Sequence, residues 1–139
     1  SNYADCLSVR LDGMDKVPNL KECKNVLRYD IQPEGVFVHL RPGTQRAEIV
    51  LTSDKTVNDR FPYLKNGSGW VRDFERADKG VRFDFECFSK GKFEVAGLIP
   101  NRKYKFIRKD GSLQELITDG EGVLSVQDVA SGPMEIDLI

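Results

Sequence analysis

The 139-residue sequence is poor in histidine, cysteine and net charge. Its one histidine, His39, rules out a multi-histidine zinc centre. Any Ser–His–Asp or Cys–His catalysis would depend on that single ring. His39 falls on the outward phase of a strand-like run, and no nucleophile motif accompanies it. It reads as a surface or edge histidine. The three cysteines, Cys6, Cys23 and Cys87, have no CxxC or zinc spacing, and they allow at most one disulfide. Cys6 and Cys23 lie in neighbouring N-terminal strand candidates, so a bridge between them is open to the fold. Cys87 sits on the apolar phase of its run and reads as a buried small hydrophobe. The 21 basic and 22 acidic side chains cancel to a formal charge of -1. A general nucleic-acid or anionic-membrane binder needs a basic excess, so neither partner is expected. No apolar run approaches the roughly 18 residues of a spanning helix, and no membrane insertion is expected. There is no internal repeat, no low-complexity tract and no cofactor motif. The chain starts at Ser1-Asn2 without a methionine. It reads as one domain, residues 1–139, excised from a larger protein.

What the sequence does contain is period-2 alternation. In Val81-Arg82-Phe83-Asp84-Phe85-Glu86-Cys87 every odd position is apolar and every even one charged. A strand with one buried and one wet face needs that pattern. Val36, Val38 and Leu40 repeat it, as do Leu7, Val9 and Leu11, then Leu27, Tyr29 and Ile31, then Met134, Ile136 and Leu138. Shorter strands fit 48–52, 92–96, 103–108, 112–118 and 122–127. Glycine-bearing turns separate these runs, the sharpest being Asp110-Gly111. Strand after strand at short spacing, with no long amphipathic helix, predicts an all-β antiparallel sandwich. Residues 14–24 are ambiguous, and Met14–Leu20 fits a loop or one short helical turn. Residues 53–79 break the rhythm and read as a long connection, with a short strand around 70–74.

The run Val95-Ala96-Gly97-Leu98-Ile99-Pro100-Asn101-Arg102-Lys103-Tyr104 resembles the Gly-Leu-x-Pro-x-x-x-Tyr stretch of immunoglobulin and fibronectin type III sandwiches. The resemblance implies that Tyr104 is a corner tyrosine, Leu98 a core plug and Pro100 the turn-setter. The segments that follow are Thr118-Asp119-Gly120-Glu121-Gly122 and Gly132-Pro133-Met134-Glu135-Ile136-Asp137-Leu138. They are similar to the closing sandwich domains appended to bacterial polysaccharide lyases and glycoside hydrolases. That likeness implies an accessory module of a secreted carbohydrate-active protein, located outside the cell, on its surface or in the periplasm. Its partners would be a neighbouring domain of the parent protein and a polysaccharide. A jelly roll is the alternative topology.

The candidate ligand-binding residues lie in 53–79: Phe61, Tyr63, Trp70, Arg72 and Asp73. Aromatic faces stack on the apolar C–H faces of sugars, and nearby charged groups bond hydroxyls. Core packing of Trp70 is the competing reading. Asp84 and Glu86 share a strand face at a spacing that a glycosidase could use. Alternating charge on a strand is also an ordinary solvent face, and no catalytic residue is assigned. Asp119-Gly120-Glu121-Gly122 has too few ligands for a dedicated calcium loop and reads as a turn. Asn66-Gly67-Ser68 fits the N-glycosylation pattern. A binding module is therefore the first expectation. A structural or protein-binding immunoglobulin-like domain is the second, and a small carboxylate hydrolase the third.

Overall fold

The computed structural model describes residues 8–13, 15–41 and 43–139. They form thirteen strands and, among the described residues, no helix. The first five are β1 (Ser8–Leu11), β2 (Val17–Pro18), β3 (Val26–Gln32), β4 (Gly35–Leu40) and β5 (Leu51–Thr52). The next four are β6 (Tyr63–Gly67), β7 (Trp70–Ala77), β8 (Gly80–Glu86) and β9 (Gly91–Ala96). The last four are β10 (Lys103–Ile107), β11 (Leu113–Ile117), β12 (Leu124–Val129) and β13 (Gly132–Leu138).

A five-stranded sheet, in order β11-β10-β13-β8-β7, packs over a three-stranded sheet in order β12-β9-β6. The all-β sandwich expected from the alternation is therefore present. β8 shows why: Val81, Phe83 and Phe85 are buried between the sheets, while Arg82, Asp84 and Glu86 face out. Their inward partners include Phe106 of β10, Ile136 of β13, and Phe93 and Val95 of β9, all in one cluster. The aromatic centre is tightly knit. Phe93 meets Phe83 edge-on at 5.1 Å and lies 5.4 Å from Phe85 and 5.9 Å from Phe106.

The N-terminal strands make a second sheet pair, β1-β4-β3 and β2-β5. They bury a smaller cluster around Val17, Leu20, Tyr29, Val36 and Val38. The two clusters are joined, because Leu27 of β3 packs into the larger one and Tyr63 of β6 against the smaller. Next to this junction, Arg28 binds both carboxylate oxygens of Asp30 at 2.9 Å, and His39 Nε2 lies 2.8 Å from the same carboxylate. His39 is thus half-buried and paired rather than a plain surface residue. Burial raises the Asp30 carboxyl, but the His39 bond and the Arg28 charge outweigh it and hold it below the usual carboxylate range.

Two sequence expectations are corrected. Residues 15–20 are neither a bare loop nor a helical turn, since Val17 and Pro18 pair with Thr52 and Leu51. Residues 53–79 are not one connection. Only 53–62 connects, and the rest forms β6 and β7. The strand expected around 70–74 is present as the first part of β7, and bulges hid β6 and the rest of β7 from a period-2 reading. One lies between Leu64 and Asn66, the other between Arg72 and Glu75. The second moves the inward position from Val71 to Phe74, with Asp73 at φ 53° in the left-handed region. Cys87 lies just past the end of β8 and is half-buried against the main core. The Cys6–Cys23 bridge involves Cys6, which lies outside the described residues, as do Leu7, Met14 and Pro42.

The segment after β9 closes the sandwich. Leu98 is buried in the main core, and Pro100 sits half-buried in the turn. Tyr104 is also buried, and its hydroxyl accepts a 3.0 Å bond from the Ile99 N–H. The buried Thr118 hydroxyl donates to the Ile99 carbonyl and accepts from the Arg102 N–H. Tyr104→Phe leaves the Ile99 N–H without that acceptor. A loss of about 1–3 kcal/mol is expected in urea unfolding, with the sandwich intact by circular dichroism.

Candidate functional site

The five residues singled out in 53–79 are not brought to one place. Phe61 and Tyr63 lie at the N-terminal cluster. Trp70, Arg72 and Asp73 lie on β7, at the edge of the five-stranded sheet.

Phe61 is covered. The Arg76 guanidinium sits 3.9 Å from its ring centroid and the Lys21 ammonium 5.7 Å away. Arg76 also donates from Nε to the Pro62 carbonyl at 2.6 Å. Burial, with the Arg41 charge adding to it, lowers the Arg76 pKa to about 10. The ring is part of a cation–π stack and is poorly placed to receive a sugar. Nothing near Phe61 in sequence signals this, because Arg76 arrives from the far end of β7.

Trp70 faces outward. It pairs in register with Glu86, whose neighbour Phe85 points into the core. Residues directly opposite in a ladder share a face, so Trp70 and Glu86 stand together on the outer face. Arg72 stands on the same face, opposite Asp84, with its guanidinium 3.8 Å from Glu86. Asp73 borders a shallow outer groove of about 390 Å³ with Arg82, Asp84 and Glu135. Arg82 bonds Glu135 at 2.7 Å and approaches Asp137 at 3.7 Å, so this face is a lattice of paired charges.

Phe88 was not anticipated from the sequence. It lies in the β8–β9 turn, is 89% exposed, and meets the Trp70 ring edge-on at 5.9 Å. An aromatic in a Cys-Phe-Ser-Lys-Gly turn is the only sequence signal, and it is off the strand's apolar phase. Both turns that carry this pair are tied down. Ser68 donates its N–H to the Lys92 carbonyl at 2.9 Å and accepts the Lys92 N–H on its hydroxyl at 2.9 Å. Ser131 Oγ accepts the Cys87 N–H at 2.8 Å and lies 3.0 Å from the Cys87 carbonyl. Gly69 is required between them, since a β-carbon there would come 2.4 Å from the Glu86 carbonyl oxygen. The two turns beside the Trp70–Phe88 pair are thus held by their own hydrogen bonds and close backbone packing.

The Asp119 carboxylate accepts the Glu121 N–H at 2.8 Å and the Val123 N–H at 3.0 Å, and these bonds hold it below the usual carboxylate range. Both bonds fall on Oδ1, which serves the turn. Among the described residues, no group of three or more His, Cys, Asp or Glu side chains converges to hold a metal ion. Asp84 and Glu86 are both exposed on the open outer face. Asn66 is exposed near the end of β6, with its side-chain oxygen accepting the Gly67 N–H at 2.8 Å.

No protein-family model, curated protein or solved structure matches this chain.

Proposed function

We propose that this chain is a non-catalytic β-sandwich module that binds polysaccharide on the outer face of its five-stranded sheet, as an accessory domain of a secreted carbohydrate-active protein. One observation carries the reading: Phe88 stands almost fully exposed against Trp70. What supports the reading is the pairing rather than one exposed ring: Phe88 and Trp70 together present aromatic surface next to turns held by hydrogen bonds. Beside the pair, Arg72 carries N–H donors and Glu86 carboxylate acceptors for sugar hydroxyls. The two rings meet edge-on, and beside them the charged outer face of the sheet is open, which suits an extended chain of sugars better than a small compact ligand. The similarity of the C-terminal segments to accessory domains of polysaccharide lyases and glycoside hydrolases supports the same reading.

Affinity electrophoresis through gels cast with single polysaccharides tests it. Retardation by at least one polysaccharide is expected, and Phe88→Ala should remove most of it while leaving the thermal midpoint unchanged. Equal mobility of the two proteins in every gel contradicts the proposal.

A second reading has its own observation. β11 is an edge strand, and Leu113 and Ile117 on it are 57% and 63% exposed. An edge carrying exposed aliphatic side chains suits contact with a neighbouring domain of the parent protein. The two readings use different faces and are compatible.

A further inference from the structure

The chain has a second concave site, at the opposite end of the sandwich from the aromatic pair. β9 runs from Gly91, beside the platform turns, to Ala96 at the other end, and β12 runs back from Leu124 to Val129. At the Ala96 end, a cavity of about 480 Å³ opens between the 55–60 turns, β6, the turn after β9 and the turn before β12. That volume falls within the range of small-molecule sites.

Its shape is set by backbone contacts. Gly97 has φ +77°, and a β-carbon there would lie 2.4 Å from the Phe61 carbonyl oxygen. Gly122 has φ +80°, and its β-carbon would lie 2.2 Å from the Leu98 carbonyl oxygen. Both positions combine a left-handed backbone with close approach, so the walls sit closer than side chains would allow. Arg60 on the wall holds a non-glycine φ of 62°. Such outliers persist where surrounding structure imposes them.

The lining has an aromatic side and a charged side. Tyr63 is half-buried and stacks at 5.2 Å on the buried Tyr29. The Tyr29 hydroxyl receives Asn58 Nδ2 at 3.2 Å and the Tyr63 hydroxyl at 3.4 Å. Burial, with the bond to Tyr29, pushes the Tyr63 hydroxyl well above the usual phenol range; its proton goes to Tyr29, which leaves the Tyr63 oxygen as an acceptor. Around it stand Lys55, Arg60 and Lys65 with Asp59 and Glu121. Exposed donors and acceptors in near balance, beside the Tyr63–Tyr29 stack, match a ligand whose hydroxyls both donate and accept. They do not match a simple anion, which would meet Asp59 and Glu121 unfavourably.

We infer that this cavity is a binding site for a free mono- or disaccharide, separate from the sheet-face platform and independent of it. The two sites are expected to divide the labour, the platform holding the side of a chain and the cavity a chain end or a released sugar.

Backbone amide NMR of the full chain tests this, with glucose, galactose, mannose, glucuronate, cellobiose and inorganic phosphate as probes. At least one saccharide should shift the amides of Arg60, Gly97 and Gly120 saturably. Glu121→Gln and Lys65→Gln, both at exposed positions, should each weaken that binding by about tenfold. Phe88→Ala should leave it unchanged, so a failed platform and a failed cavity give different results. The inference is overturned if no saccharide shifts these amides, if phosphate alone does so, or if the two charge-removing variants bind as tightly as the parent.

Discussion

Phe93→Ala is expected to lower unfolding free energy by about 3–5 kcal/mol, the range for removing a large aromatic from a packed core. Phe93 is almost fully buried and is the ring of the three-stranded sheet that wedges among Phe83, Phe85 and Phe106 of the five-stranded one. Its loss removes contacts to three rings at once and leaves a hole that the sheets cannot close without sliding. Small domains are stable by only about 5–15 kcal/mol, so a large share of the total is at stake. Phe93→Leu keeps most of the volume and should cost far less. The effect should reach the platform as well. The Phe85 ring lies against Gly69 and Gly91, the residues that bring the two platform turns together. A loosened Phe85 should therefore weaken polysaccharide retardation even in the folded population of Phe93→Ala. Urea unfolding monitored by circular dichroism gives the stability, and a loss below about 1 kcal/mol would show that the two sheets are not packed through this ring.

Asn58→Ala is expected to cost about 3 kcal/mol, although Asn58 lies in a connecting loop. The side chain is buried and makes three bonds. Its Oδ1 accepts the Leu20 N–H at 3.0 Å, and its Nδ2 donates to the Pro18 carbonyl at 2.9 Å and the Tyr29 hydroxyl at 3.2 Å. Alanine leaves two backbone groups of the N-terminal segment buried without those partners, and each unsatisfied group costs about 1–3 kcal/mol. The same side chain pins the 53–62 connection to β2 and β3, and that connection carries Lys55, Asp59 and Arg60. Asn58→Ala should thus disturb the cavity amides and leave Trp70 fluorescence as it is. Asn58→Asp keeps the acceptor and loses the donors, so it should be destabilised mainly through Pro18 and Tyr29. A thermal midpoint for Asn58→Ala equal to that of the parent would contradict this role.

The strand pattern was readable where the ladder is regular. Val81, Phe83 and Phe85 announce their burial because β8 runs without a bulge, and the Lys109-Asp110-Gly111 turn falls between β10 and β11. β6 was not readable. Its bulge after Leu64 breaks the alternation within a five-residue strand, leaving no repeat to detect. The candidate site was legible only in part. Trp70 and Arg72 fall on one face because they are two apart on a strand, and the sequence carries that fact. Phe88 joins them through a turn between two strands, and no periodicity describes a turn. Phe61 was misleading for the converse reason, since the group that covers it, Arg76, comes from another segment. The cavity is least legible of all, because its wall is assembled from five segments between residues 29 and 123.

The measurement closest to the central claim uses the single tryptophan. Trp70 is half-buried and lies against the exposed Phe88. Its fluorescence should be quenched partially by iodide in the free protein, more strongly in Phe88→Ala, and less in the parent once a retarding polysaccharide is added. Protection that follows the polysaccharide's affinity and disappears in Phe88→Ala places the ligand on the aromatic pair. Quenching that no polysaccharide changes, in parent and variant alike, would mean that the exposed aromatic pair is not a sugar platform.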